Sequence, residues 1–242
     1  MRFFILVLCS LSFFFHLSAQ TVLITGANRG IGLEFASQYN DLGYDVIATA
    51  RSPERAKKLE TLGVRIEQLD VANPNSVADL AKKLEGAPID ILINNAGVLH
   101  GRGDKLEDVD FEEVERSFDI NTIGPLRVTQ ALLPNLRKGK EKKIINITSR
   151  LGSIQHNSGG MYAYRASKAA LNQLNKTLSH ELGAEGFVCI VIHPGWVQTD
   201  MGGSQATYTT KRSVAGMIDV IKQSGRSSNG KFYDLHGNEL PW

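Results

Sequence analysis

From Thr21 onward, short and almost wholly apolar runs alternate with amphipathic stretches, and that alternation restricts the fold more than any other feature. Strands are expected at 21–25, 44–50, 64–69, 89–93, 143–148 and 187–192, with a last short one at 230–233. Helical spacing is expected over 31–42, 53–62, from Asn73-Pro74 onward, and over 111–137, 161–182 and 213–224. Pro74 suits a first helical turn, where its missing N–H would be unsatisfied anyway, and Asn73 is a capping residue. A strand with one wet face alternates apolar and polar residues. These strands do not, so both of their faces must be covered. The expected fold class is therefore α/β. It is a single doubly wound domain whose mostly parallel, seven-stranded sheet carries helices on both faces.

Composition excludes several other readings. The chain has 242 residues, 42% hydrophobic and 21% charged, which suits one globular domain and not a disordered chain. A formal net charge of +2 leaves no basic stripe for nucleic acid. Two cysteines, Cys9 and Cys189, cannot build a disulfide scaffold or a cysteine-rich zinc site. The six histidines, His156, His180 and His193 among them, form no metal-like pair, so no metal is expected. His193, just before Pro194, reads as structural.

The first strand runs into Thr25-Gly26-Ala27-Asn28-Arg29-Gly30-Ile31-Gly32. Gly26 permits a tight turn, Gly30 lets backbone approach a pyrophosphate, and Gly32 lets helix and strand pack closely. The helix that follows presents free N–H groups and a partial positive charge to phosphate. Strand, glycine turn and helix in that order make a dinucleotide site, so the expected fold is a Rossmann domain. Further on, Tyr164 and Lys168 stand four apart on an expected helix and share a face. A free tyrosine has a pKa of about 10, and a neighbouring ammonium is expected to lower it. Tyr164 could then serve as an acid toward a carbonyl or a base toward an alcohol. Tyr162 is the nearest competitor, but only Tyr164 has a lysine four residues on.

The G-x-x-x-G-x-G spacing of the turn, with Asn94-Asn95-Ala96-Gly97 and Tyr164-Arg165-Ala166-Ser167-Lys168, resembles the short-chain dehydrogenase/reductase family. The resemblance runs from Thr21 to about Thr199. The end of the chain, from Pro194-Gly195-Trp196 through Met201-Gly202-Gly203 to the final Gly-Asn-Glu-Leu-Pro-Trp, is similar to the C-factor-like and sniffer-like carbonyl reductases. By this resemblance Ser149 hydrogen-bonds the reacting oxygen, and Asn121 supports a water relay to Lys168. Asp70-Val71 corresponds to the adenine-binding pair, and Asn94, Ala96 and Gly97 to the ribose-side wall. Pro194, Gly195 and Thr199 belong to the segment that holds the nicotinamide carboxamide. The interval from Ser149 to Tyr164 is slightly long for the family, which points to an enlarged loop at 152–160.

NAD-specific sites place an acid at the end of the second strand. Here that strand ends Ala48-Thr49-Ala50-Arg51, with no acid and with Arg51 where a 2′-phosphate would lie. Arg29 adds a second guanidinium, a group that matches phosphate. The expected cofactor is NADP(H), and the expected reaction is hydride transfer from NADPH to a small aldehyde, ketone or quinone. The alternative is an NADP-binding signalling or regulatory protein with weak catalysis. The small-residue-rich stretch 201–211 suggests an open substrate pocket, and homo-oligomers are usual in the family.

Residues 1–19 stand apart. Arg2, an apolar run from Phe3 to Phe15 and a closing Leu17-Ser18-Ala19 have the layout of a secretory signal peptide, with 20–242 as the Rossmann domain. An uncleaved anchor, which would bring membrane contact, and a start codon assigned too far upstream are the alternatives. The segment suggests export or membrane association, whereas the need for NADPH suggests the cytoplasm.

Overall fold

The computed structural model describes residues 19–103 and 105–242, so the signal-like segment lies almost wholly outside the described residues. The strands are β1 (Thr21–Ile24), β2 (Asp45–Ala50), β3 (Arg65–Gln68), β4 (Ile91–Asn94), β5 (Lys143–Ile147), β6 (Val188–His193) and β7 (Phe232–Asp234). The helices are α1 (Gly30–Asp41), α2 (Lys57–Glu60), α3 (Pro74–Lys83), α4 (Phe111–Phe118), α5 (Gly124–Lys138), α6 (Tyr162–Leu182) and α7 (Thr210–Gln223). One sheet of seven strands runs in the order β3-β2-β1-β4-β5-β6-β7, and every pair in it is parallel. The strand order reverses between β1 and β4. In an open α/β sheet a crevice forms outside the carboxyl ends of the strands at such a point.

The apolar strands bury both faces, as side-chain alternation along a strand requires. Val22 and Ile24 of β1 join Phe35, Tyr39 and Met217 under α1 and α7. Leu23, between them, joins Leu80, Leu132 and Leu136 on the opposite face, under α3 and α5. Two expectations are corrected. Instead of one helix over 53–62, a 3₁₀ turn (Pro53–Arg55) and the single turn α2 meet at Ala56, whose φ −90° and ψ 43° are not helical. The bend lets Ala56 and Leu59 both reach the core. The expected helix over 111–137 is interrupted by a π turn, Asp119–Ile123, between α4 and α5. Pro125 lacks an N–H to give the Asn121 carbonyl four residues back, so regular α pairing fails there.

Leu92, fully buried on β4 near the middle of the sheet, tests this packing. Leu92→Ala should destabilise the domain by about 2–5 kcal/mol, read from the denaturant midpoint at unchanged m-value. A midpoint near wild type would mean that this face is not closely packed.

Candidate active site

The glycine turn is locked to the end of β4. The Thr25 hydroxyl accepts from the backbone N–H groups of Asn95 and Ala96, each at 3.0 Å. The Asn95 carboxamide donates to the carbonyls of Thr25 (3.0 Å) and Gly26 (3.1 Å). Gly26 has φ +65°, and a Cβ on it would come within 2.9 Å of Ala96 Cα. A Cβ on Gly32 would overlap the Gly26 carbonyl and the Asn95 amide. The approach is so close that neither position accepts a side chain.

The start of α1 is left bare. Its N-cap residue, Arg29, makes no side-chain cap and the first turn holds no acid. By contrast α3, α4 and α7 are capped by Asn73, Asp110 and Thr209. Uncapped N–H groups at a helix start favour an anion. This cradle fits a phosphate group.

Around it, Asn28 is exposed, Ile31 is half-buried, and Arg51 is exposed just past β2. Arg55, on the turn that follows, adds another exposed cation. Arg29 reaches the other way, with Nη1 2.6 Å from Asp200 Oδ2 and the two side chains 68% and 77% exposed. Past β3, the Asp70 carboxylate accepts from Ala72 N (3.1 Å), and the Val71 carbonyl accepts from Arg127 Nη1 (2.5 Å). The Asn94 side chain turns into the fold. Its Nδ2 donates to Asn146 Oδ1 (2.9 Å) and Thr129 Oγ1 (3.3 Å), so only its backbone can face a ligand.

The four candidate catalytic residues come from three elements. Asn121 sits in the π turn, Ser149 follows β5, and Tyr164 and Lys168 lie on α6; all four are buried. Asn121 Oδ1 accepts from Val98 N (2.8 Å), while its Nδ2 donates to Val98 O (2.9 Å) and Ser167 Oγ (3.1 Å). Lys168 Nζ donates to Ile147 O at 2.8 Å and lies 5.9 Å from the centre of the Tyr164 ring. Gly97 is where the π turn and α6 meet: a Cβ on it would stand 3.1 Å from Asn121 Oδ1 and 3.6 Å from Lys168 Nζ.

The expectation of a lowered tyrosine pKa does not hold in this state. Burial pushes Tyr164 up to about 12, and the Ser149 hydroxyl beside it pulls only partly back. Burial brings Lys168 down to about 8. The spacing of two residues shows that they share a face, not how far burial disfavours the charged form of each. His193 is likewise held down to about 4 by burial.

The segment after β6 closes the far side. Pro194 O accepts from Ser213 Oγ at 2.6 Å. Gly195 has φ +82° and faces Leu235 and Tyr208, 2.7 Å from where a Cβ would be. The Thr199 methyl stands 3.3 Å from a Cβ position on Gly30, so this segment meets the glycine turn. Besides the Arg29–Asp200 pair, Arg102 Nη2 donates to Met201 O at 2.7 Å. Asn95, Arg102 and Asp200 were not singled out in the sequence. Asn95 carried a signal as the second member of the Asn94-Asn95 doublet, whereas the loop contacts of Arg102 and Asp200 follow no period.

Residues 20–209 match the short chain dehydrogenase family. The C-signal of Myxococcus xanthus is 51% identical over 156 residues, covering 64% of this chain and 93% of that protein. The 1-hydroxy-2-glutathionyl-2-methyl-3-butene dehydrogenase of Rhodococcus sp. (strain AD45) is 36% identical over 92% of this chain and 100% of its own. Among solved structures, the NADPH-bound carbonyl reductase from chicken fatty liver superposes with TM-score 0.85 at 35% identity, over 93% of this chain and all of its own. The carbonyl reductase Sniffer of D. melanogaster does so with TM-score 0.86 at 34% identity, over the same shares.

The Lys168 shift carries a stability consequence. Its folded pKa lies below the unfolded value, so between about 8 and 10.5 the unfolded chain binds more protons and stability rises with pH. Below that window the buried ammonium is a standing cost. Lys168→Met should therefore raise the melting temperature of the ligand-free protein at pH 7 and flatten its rise from pH 8 to 10.5. A lower melting temperature with the slope intact would show that the ammonium is well solvated.

Proposed function

The chain belongs to the short chain dehydrogenase family, and on that footing we propose that it is an NADPH-dependent carbonyl reductase acting on small aldehydes, ketones or quinones. The observation that carries this reading is the meeting of Asn121 and Lys168 at Gly97, with Tyr164 one turn before Lys168 on α6, beside the bare start of α1. The carbonyl reductases of chicken fatty liver and D. melanogaster, similar over almost the whole chain, support it.

The turn from Gly26 to Gly32, with Asn28 and Ile31, would hold the pyrophosphate on the first-turn N–H groups of α1. Arg51 and Arg29 would read the 2′-phosphate, Arg29 leaving Asp200 to do so. Asp70 and Val71 would border the adenine. The backbone of Asn94, with Ala96 and Gly97, would border the ribose, and Pro194, Gly195 and Thr199 the carboxamide. When bound, the cofactor supplies hydride to the carbonyl carbon.

Tyr164 supplies the proton to the carbonyl oxygen. A phenol that burial keeps protonated is placed as an acid, which suits reduction. Ser149 Oγ, fixed by Leu151 N at 3.1 Å, steadies that oxygen with its hydroxyl. Lys168 compensates the phenolate left behind, and Asn121 holds the Gly97-Val98 wall against α6. A regulatory protein with weak catalysis, the reading that likeness to C-signal invites, has no need of all four residues.

Tyr164→Phe should keep NADPH affinity and lose roughly 10²–10⁴-fold in turnover. Near-normal turnover would remove the assigned role. Arg51→Asp places a negative charge beside the 2′-phosphate. It should lower kcat/KM for NADPH and shift the NADPH/NADH ratio toward NADH; an unchanged ratio would show that Arg51 does not read the phosphate.

A further inference from the structure

The chain leaves β6 through Gly195, which takes φ +82°. Glycine is the most permissive residue, so nothing in its own structure selects that conformation. Its neighbours do. A Cβ at Gly195 would stand 2.7 Å from Tyr208 Cδ2 and 2.7 Å from Leu235 Cδ2, so the bare backbone lies directly against two side chains. Leu235 is part of the core, and the half-buried Tyr208 packs on that same core.

Tyr208 also closes the loop that follows. Its N–H donates to Trp196 O at 2.9 Å, and its carbonyl accepts from Gln198 N at 2.8 Å. Residues 196–208 are thus pinched together at Tyr208. Inside the loop, Trp196 Nε1 donates to Gly202 O (2.8 Å) and Gly202 N to Thr199 Oγ1 (3.0 Å). These bonds hold the loop to itself rather than to the domain. The side-chain contacts Arg29–Asp200 and Arg102–Met201, which do reach the domain, are exposed. Contacts of that kind hold a loop weakly. The Tyr208 ring is better placed. The Arg212 guanidinium of α7 stands 5.5 Å from its centre, and the His236 ring meets it edge-on at 5.7 Å. The Tyr208 hydroxyl and His236 Nε2 are 3.0 Å apart at the surface, where water can replace either partner. Against Gly195 the ring itself fills the space.

We propose that Tyr208 is a positioning residue: its ring sets the Gly195 backbone and the neck of the 196–208 loop, and through them the nicotinamide end of the cofactor. The identity of that ligand rests on the carbonyl reductase reading, in which Pro194, Gly195 and Thr199 border the carboxamide. A segment fixed beforehand has little ordering left to do when the nicotinamide arrives. Hydride transfer in turn depends on where that ring is held.

The test compares Tyr208→Ala, Tyr208→Leu and Tyr208→Phe with wild type in the full chain. In the ligand-free protein, amide hydrogen exchange over 195–203 should quicken in Tyr208→Ala and Tyr208→Leu, with β1 and β4 unchanged. Tyr208→Phe, which keeps the ring, should exchange like wild type. Calorimetry then sets NADPH against adenosine 2′,5′-bisphosphate, which carries the adenine end alone. Tyr208→Ala should bind NADPH about tenfold more weakly. Its affinity for the bisphosphate should be unchanged, and Tyr208→Phe should restore the affinity for NADPH. Turnover of Tyr208→Ala at saturating NADPH should fall by roughly 10–10²-fold. If Tyr208→Ala does not fold, Tyr208→Leu, which keeps apolar volume beside Leu235, decides the matter. The proposal is overturned if exchange over 195–203 does not change, if NADPH and the bisphosphate weaken equally, or if Tyr208→Phe is as weak as Tyr208→Ala. Wild type that binds no NADPH overturns the carbonyl reductase reading and this proposal together. Tyr208→Ala that binds NADPH like wild type overturns this proposal alone.

Discussion

Four hydrogen bonds among Thr25, Gly26, Asn95 and Ala96 join the turn after β1 to the turn after β4, and the rest of the cleft takes its position from that join. Parallel strands end on the same side of a sheet, so two turns that would otherwise diverge are available to face each other at the strand reversal. Thr25 and Asn95 convert that adjacency into fixed geometry by satisfying backbone groups the sheet ladder leaves free. The glycines make the join possible. Gly26 and Gly32 bring backbone against backbone and against the Asn95 amide, at distances a Cβ would not allow.

Helix α6, which carries Tyr164 and Lys168, is set by a second, buried set of polar contacts. Asn94 donates to Asn146, Asn146 to Asn175, and Asn175 to the Cys189 carbonyl, linking β4, β5, α6 and β6. Beside it Thr148 donates to Asn172, and Asn172 to the Gly152 carbonyl. Such chains are costly when broken and directional when complete. They define how α6 lies on the sheet, and so where Tyr164 and Lys168 stand relative to Ser149. Gly152 is pressed against the Lys168 backbone, with no room for a Cβ. The π turn does the equivalent for Asn121: it opens the helix where Pro125 cannot donate, and the freed side chain bridges Val98 and Ser167.

Much of this was legible in the sequence because it depends on local chemistry. Unbroken apolar runs could only be doubly covered strands, and a glycine turn between strand and helix could only sit at a crevice of the sheet. Tyr164 and Lys168 shared a face by spacing alone. What escaped depends on tertiary context. The break at Ala56 arises because two residues must both reach the core. The π turn follows from a proline effect that helical periodicity hides. Asn94 and Asn95 look alike in the chain, yet one side chain goes into the fold and the other clamps the turn. Arg29 was legible as a cation, but its pairing with Asp200, 171 positions away, was not.

The opposite displacements of Tyr164 and Lys168 have one cause, and it links the fold to the chemistry. Each group is buried, so each is pushed toward its neutral form. Considered singly, burial works against the phenolate that proton donation must leave behind. The same removal of water lowers the local dielectric, and the attraction between a phenolate and an ammonium grows as the dielectric falls. Before transfer that attraction has nothing to act on, because the phenol is neutral. After transfer it is at its strongest. A pairing that exists only once charge has developed favours the transition state over the ground state. In the proposed role the tyrosine and the lysine would therefore act because they are buried together, which an exposed pair at the same spacing could not reproduce.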